Sequence, residues 1–463
     1  MKNIMHKLVG DRHFYKKVLA ISIPIMIQSG ITNFVSLLDN IMVGQVGTEP
    51  MSGVAIVNQL IFVFNICIFG GISGAGIFGA QFFGYGDHQG VRNTFRLKLI
   101  ICGFISVVAI AIFVLMGDPL INLYLSGDDP VAKLRTAEYA RQYLLIMLIG
   151  MIPFAIEQSY SGTLRETGET VLPMKAGICA VLVNLILNYL LIFGKLGFPA
   201  LGVVGAAIAT VIARFVEMAI IIIWTHRNAV KNRFIVGAYR HFSIPGDLIR
   251  NVFIKGSPLM LNEVFWASAQ AILMQCYSQR GLAVIAGFNI SNTITNVFNI
   301  AFIALGGAVA IIIGQQLGAN KLTEARETAW KLIAFSVASC IFMGILLALC
   351  APFFPQSYNT TGEIRGLATQ FMLVSAVYLP IHAFLHSAYF TLRAGGKTMI
   401  TFIFDSGFAW CVSIPLAYCL CRFTGLPILT IYIICQSAEL LKCFLGTYLL
   451  KKGYWIQNIV NKG

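Results

Sequence analysis

Long apolar runs alternate along this chain with short connectors rich in Lys, Arg, Gly, Pro and Asn. About 20 apolar residues at 1.5 Å of rise each cross the hydrocarbon core of a bilayer. Runs that long must be helical there, because a helix satisfies its own backbone polar groups. The pattern predicts twelve spans, at 18–43, 51–80, 97–117, 137–162, 171–194 and 200–225, then 252–279, 283–314, 328–353, 366–392, 399–421 and 426–450. The longest basic connector lies between the sixth and the seventh. The expected organisation is an N-terminal six-helix lobe over 1–225, a cytoplasmic linker over 226–250 and a C-terminal six-helix lobe over 251–463. The basic N-terminus gives way after Lys17 to an apolar run with no small-residue cleavage site, which predicts a retained first span.

Composition narrows the class further. Of the 463 residues 57% are hydrophobic and only 11% charged, with a mean hydropathy of +0.79. A soluble domain carries about 25% charged residues, so a cytosolic enzyme, a disordered scaffold and a secreted disulfide mini-protein are excluded. The net charge of +14 in a soluble chain would point to nucleic acid. Here 25 of the 33 Lys and Arg fall toward the side that holds both termini and seven toward the other, with Arg214 left mid-span. The positive-inside rule then makes the termini cytoplasmic, in a prokaryotic-type plasma membrane, and removes the argument for nucleic acid. The 11 cysteines lie mostly inside apolar runs as small hydrophobes, and Cys419 and Cys421 form a CxC with no partner pair, so no zinc site is expected.

The two halves repeat. At an offset of 234, Pro24 meets Pro258, Met26 meets Met260, Gly53 meets Gly287 and Asn58 meets Asn292. At the same offset Phe64-Asn65-Ile66 meets Phe298-Asn299-Ile300, and Gln81 and Gly84 meet Gln315 and Gly318. TLRETGET at 163–170 matches TLRAGGKT at 391–398 with an offset of 228. These identities include Pro, Asn, Gln and Arg, which chance in apolar text does not favour. With six spans each, equivalent helices run in the same direction, giving a pseudo-two-fold along the membrane normal. That symmetry belongs to transporters that rock two halves about a substrate.

Ionisable groups inside spans are costly and mark function or pairing. Arg214 with Glu217, and Glu439 with Lys442, are i,i+3 neighbours expected to pair locally. Glu157 is expected to reach the interface or Arg165. Asp39 has no basic residue within a turn. It falls in the same layer as Asn184 and Asn188, one turn apart on span 5, and Thr210 on span 6. One carboxylate, two amides and a hydroxyl make an oxygen-only site, suited to a proton or to a hard cation such as Na⁺; hydrogen bonding between helices is the bland alternative. In the second half Glu263, His382, His386 and Asp405 fall in the inner layer and suit proton relay or helix-to-helix bonding. The i,i+4 histidines of HAFLH lack the glutamate of HExxH, so zinc is not expected. Asn289, Asn292, Asn296 and Asn299 make one stripe on span 8, and Asn58 and Asn65 mark the equivalent face of span 2. They line a cavity or join helices. GAGIFG at 74–79 fits GxGxxG but follows no strand, so it serves close helix packing rather than a dinucleotide.

IPIMIQSGITNFVSLLDNIMVGQVG, the AQFFGYGD turn, TLRETGET followed by NLILNYLLIFG, and GVVGAAIAT together resemble the MATE (multidrug and toxic compound extrusion) family, in order and over nearly the whole chain. The resemblance implies two six-helix lobes, a central V-shaped cavity and export driven by a Na⁺ or H⁺ gradient. It also implies a first-lobe cation site with its acid at Asp39, polar partners at Asn184 and Asn188, and a carbonyl and hydroxyl at Ala206 and Thr210. Some branches of the family carry Asp at the position of Asn188; this chain does not, which leaves one carboxylate. Several carry an acid in span 7 and another in span 10. Here Glu263 stands about a turn earlier, His382 takes the place of the second acid, and Asp405 is on span 11.

The reading that follows is a non-enzymatic, monomeric secondary exporter of small amphipathic, cationic compounds. It works by H⁺ or Na⁺ antiport and alternating access, with no cofactor beyond the coupling ion and no P-loop for ATP. Its partners are small molecules and the lipid bilayer. The nearest rival is a flippase for lipid-linked precursors, which calls for a strongly basic cavity.

Overall fold

The computed structural model describes residues 8–125 and 129–461. Twelve long helices account for nearly all of them, and no strand occurs among the described residues. In order these are α1 (Arg12–Gly44), α2 (Thr48–Tyr85), α3 (His88–Asn122), α4 (Pro130–Glu166), α5 (Val171–Phe193) and α6 (Val203–Arg227). Then follow α7 (Gly246–Ser278), α8 (Leu282–Gly318), α9 (Leu322–Cys350), α10 (Gly362–Ala394), α11 (Thr398–Phe423) and α12 (Ile428–Lys452). Each predicted span corresponds to one helix. Eleven are long and apolar enough to cross a membrane; α7, equally long at 33 residues, falls outside that set. Its sequence explains this: Lys255, Asn262, Glu263, Gln270 and Gln275 interrupt the run. The chain is an integral membrane protein of the all-α class.

The helices outrun their apolar stretches because the flanking turns carry their own helix signals. α4 shows this well. It begins at Pro130, seven residues before the apolar run, because Asp129 caps it by accepting from the backbone N–H of Val131 (2.9 Å) and Ala132 (3.3 Å). A side-chain acceptor at the cap and proline at the first helical position together set a helix start.

The chain packs as two compact units. Of the described residues, one holds those in 27–79 and 88–251; the other holds those up to Met26, in 80–87 and from Val252 on. In the first, Val57, Phe64, Ile68, Leu144, Met147 and Met151 form the core. In the second, Val18 and Ile21 of α1 join Leu305, Ile312, Leu332, Leu392 and Trp455.

In the first unit the GAGIFG glycines make room for a charge. Lys98 is fully buried and holds both oxygens of Glu166 at 2.6 Å, with Thr163 at 3.1 Å. A Cβ on Gly76 would stand 2.7 Å from one Glu166 oxygen, and a Cβ on Gly79 2.1 Å from the other. The close packing expected of this segment thus accommodates an ion pair from α3 and α4.

In the second unit the repeat shows as a reciprocal contact. A Cβ on Gly84 would lie 1.9 Å from the carbonyl oxygen of Gln315, and a Cβ on Gly318 1.9 Å from that of Gln81. These four residues are the pairs that the offset of 234 aligns. The obstructing atoms are backbone and cannot rotate away. Gly318→Ala is therefore expected to cost about 3 kcal/mol, the upper end for overpacking, and to lower the melting temperature of the purified protein. Gly103→Ala, with nothing within 4 Å, is expected to leave it unchanged or raise it, since Ala favours the helix by about 1 kcal/mol.

Candidate functional site

α1, α5 and α6 bring Asp39, Asn184, Asn188, Ala206 and Thr210 together inside the first unit. The Asn188 amide nitrogen donates to Asp39 Oδ1 at 2.6 Å. Thr210 Oγ1 stands 3.0 Å from the Ala206 carbonyl oxygen, one turn back on α6. The Asn184 amide lies between them, and its oxygen and nitrogen fit either way round. With its oxygen toward Asn188 it accepts at 3.1 Å and its nitrogen donates to Thr210 at 3.2 Å. With its nitrogen toward Asp39 it stands 3.1 and 3.3 Å from the two carboxylate oxygens, and its oxygen accepts from Thr210 at 3.2 Å. The second orientation places a further donor on the carboxylate but sets the Asn184 nitrogen 3.1 Å from the Asn188 nitrogen, donor against donor. Asn184 and Asn188 are both buried, and Asn188 Oδ1 is a buried acceptor with no donor. Among the described residues no Lys, Arg or His forms an ion pair with Asp39.

Chemically, this is a carboxylate whose charge is met by neutral amides alone. A cation arriving at Asp39 would need those amides to turn their oxygens inward. A proton needs the carboxylate and one amide turned so that its oxygen, such as Asn188 Oδ1, receives the new O–H.

Around this site the expected local pairings change. Arg214 does not pair with Glu217. Its guanidinium donates to the Gly150 carbonyl (3.2 Å) and lies 5.0 Å from the Phe154 ring centre. An i,i+3 spacing permits a pair, but the α4 backbone offers a nearer acceptor. Glu157 reaches neither the interface nor Arg165. It is buried and accepts from Ser161 (2.5 Å) and Gln158 (2.8 Å), while Arg165 donates to Gln28 (2.8 Å).

In the second unit Glu263, His382, His386 and Asp405 make no hydrogen bond to one another among the described residues. Asp405 instead accepts from Asn262 Nδ2 (3.2 Å) and pairs with Lys442 (3.3 Å), whose ammonium also pairs with Glu439 (3.2 Å). The α12 pair is thus present, but shared with Asp405. Asn262 further accepts from Ser406 Oγ at 2.7 Å and lies 3.4 Å from the Tyr389 hydroxyl. Asp405 and Ser406 sit in a π-helical turn, Ile403–Gly407, within α11. Such bulges recur where a helix is adjusted to place a working side chain. His386 packs edge-on to Phe302 (5.2 Å) and Phe390 (4.8 Å), and its Nε2 is buried with no partner. His382 stacks on Phe302 at 6.4 Å. No group of three or more His, Cys, Asp or Glu that could hold a metal ion occurs among the described residues.

Sequence reasoning overlooked Asn262 and the reach of Lys442. The signal for Asn262 was available, since the offset of 234 pairs it with Gln28. Each of these amides binds a charged side chain in its own unit: Gln28 accepts from Arg165 and Asn262 donates to Asp405. Among the described residues the asparagine stripes make no side-chain hydrogen bond to a neighbouring helix. Asn58, Asn289, Asn292 and Asn296 are exposed, Asn299 is half-buried, and Asn65 has a buried, unpartnered Oδ1.

Comparison with known proteins bears on what this architecture is for. The MatE family model matches residues 24–190 and 258–419, one stretch in each half, starting at the repeat-related Pro24 and Pro258. A probable multidrug resistance protein NorM of Halalkalibacterium halodurans is 24% identical over 89% of this chain and 88% of its own length. The multidrug resistance protein MdtK of Pectobacterium atrosepticum is 25% identical over 88% of this chain and 87% of its own. Among solved structures, an outward-facing multidrug resistance MATE family transporter of the MOP superfamily superposes with a TM-score of 0.83 at 20% identity, covering 97% of this chain and 98% of that one. The MATE transporter VcmN of Vibrio cholerae in its bent form superposes with a TM-score of 0.81 at 17% identity, covering 96% and 97%.

Proposed function

We propose that this chain, which belongs to the MATE family of transporters, exports small amphipathic, cationic compounds by alternating access, and that Asp39 couples export to an inward flux of H⁺ or Na⁺. Multidrug efflux is the role named for its relatives NorM and MdtK. The single observation that carries the coupling reading is the Asp39 carboxylate inside a span, with no basic partner among the described residues, faced by the Asn184 and Asn188 amides and beside the orphan Asn188 Oδ1. Intramembrane acids without a basic partner are costly and default to function.

An ion drives a conformational change only by binding one state more tightly than the other. A site whose polarity reverses when two amides turn supplies such a difference: donors face an ionised Asp39, and acceptors face a protonated or cation-loaded one. A proton asks for less rearrangement than Na⁺, because the N–H groups now on Asp39 repel a cation. The cytoplasmic side is the one with the basic connectors and both termini, following the positive-inside bias.

Proteoliposomes test this with a cationic fluorescent dye and the two gradients imposed separately. A pH gradient is expected to drive dye accumulation, and a Na⁺ gradient at matched pH to drive less. Movement of dye to its passive equilibrium under both gradients would remove the antiport reading. Failure to confer drug resistance on a sensitive host, with flipping of a fluorescent lipid-linked saccharide in its place, would favour the flippase.

A further inference from the structure

A second polar site lies outside the transport machinery, at the start of α3. Gln89, Arg92, Asn93 and Arg96 line a cavity of about 710 Å³ whose other wall is the connector between α6 and α7, Arg240 and His241 included. Three arginines and a histidine line one space, and none of the ten lining residues is an Asp or Glu.

The positive-inside bias accounts for basic residues in this connector, but not for their being built into a wall. Arg96 is buried and donates to the carbonyls of Ala238 (2.7 Å) and Gly237 (2.8 Å); Arg92 donates to that of Phe234 (3.2 Å). Phe95 packs against Phe234 (5.3 Å), Tyr160 (4.8 Å) and Tyr239 (6.5 Å), which seats the connector on α3 and α4. The two arginines therefore hold the wall through neutral acceptors, and no ion pair among the described residues cancels their charge.

Two further features point to what fills the cavity. Gln89, Arg92, Asn93 and Arg96 continue along the same α3 face into Ile100, Phe104 and Val107, at spacings of three and four residues. Those three side chains are 47%, 70% and 67% exposed. Arg96 to Val107 covers about 16 Å of helical rise, comparable to much of one leaflet's acyl depth. On the connector, Val236, Tyr239 and Phe242 are about half exposed beside Arg240 and His241. Aromatic and basic residues interleaved in this way belong to the membrane–water interface. Basic pockets next to spans on that side bind phosphate headgroups.

We infer that this cavity seats the phosphate of an anionic phospholipid, with its acyl chain lying along the Ile100–Phe104–Val107 face. The chemistry recognised is a phosphate ester; the apolar stripe selects a lipid over free phosphate. The leaflet follows from the orientation proposed above, whereas the binding itself does not depend on the transport reading.

The test uses the full-length protein purified in mild detergent. Phosphatidylglycerol, phosphatidylcholine and inorganic phosphate are titrated separately, and bound ligand is counted by native mass spectrometry. The wild type is expected to retain phosphatidylglycerol about tenfold better than phosphatidylcholine. Arg240→Ala with His241→Ala is expected to lose roughly that tenfold preference at an unchanged melting temperature, since both side chains are exposed. Arg240→Gln alone is expected to give an intermediate loss. Lys451→Ala with Lys452→Ala, also on exposed residues, keeps the preference. Equal loss in that control would reduce the effect to general surface charge. Wild-type preference in the Arg240/His241 variant would overturn the site, and displacement of phosphatidylglycerol by equimolar inorganic phosphate would overturn the lipid.

Discussion

Asp39→Asn protein is expected to bind substrate and to lose all response to an ion gradient. The substitution keeps the shape of the side chain and removes the only group in its cluster that takes a proton or a full cationic charge. Thermodynamics sets the size of the effect. One pH unit is worth about 1.4 kcal/mol per proton, so a one-unit gradient sustains at most about a tenfold substrate gradient for each proton exchanged. In the variant that ratio falls to unity, the passive limit. Dye binding, read by fluorescence without a gradient, stays within a few-fold of wild type. The melting temperature does not fall, because an amide is cheaper than a carboxylate inside a membrane. Accumulation in Asp39→Asn proteoliposomes at the wild-type ratio would sink the coupling role. Loss of binding and melting temperature together would make Asp39 a structural residue.

Much of this site was legible because its residues keep simple registers. Asn184 and Asn188 are one helical turn apart, as are Ala206 and Thr210, so each pair presents one face. Span direction then fixes depth, and depth brings Asp39 to the same layer; the bonds from Asn188 to Asp39 and from Thr210 to Ala206 realise it. Span count was legible for a similar reason: hydrocarbon thickness sets a length that composition displays. Orientation of side chains around a helix at equal depth was not. Glu263, His382, His386 and Asp405 were expected in one layer, yet the partner of Asp405 is Lys442. That lysine was expected to pair with Glu439 alone, and it pairs with both. Arg214 shows the same limit, since a backbone carbonyl on another helix outcompetes the glutamate three residues away. Side-chain charges announce themselves in a sequence; carbonyls that accept from them do not.

The second large effect is expected at Lys442. Its ammonium lies 3.3 Å from Asp405 and 3.2 Å from Glu439, with its side chain 8% exposed. The rings of Phe404 and Phe408 stand 5.5 and 5.6 Å away. Lys442→Met fills a similar volume but leaves two carboxylates facing each other's field without their cation. Breaking a buried ion pair from one side costs about 3–5 kcal/mol, because the remaining charge stays desolvated. The lower end applies here, since the Asp405 and Glu439 side chains are 27% and 18% exposed and water reaches part of each. The purified variant is therefore expected to melt several degrees below wild type. Neutralising the stranded groups reverses this: Lys442→Met combined with Asp405→Asn and Glu439→Gln recovers most of the loss, because shape-matched neutral replacement of a buried ion network is often nearly neutral. The asymmetry between the single and the triple variant carries the argument, as in any test of coupled neighbours. A single variant that melts with wild type, or a triple variant that melts no higher than the single, would mean that Lys442 does not hold α11 and α12 together by charge.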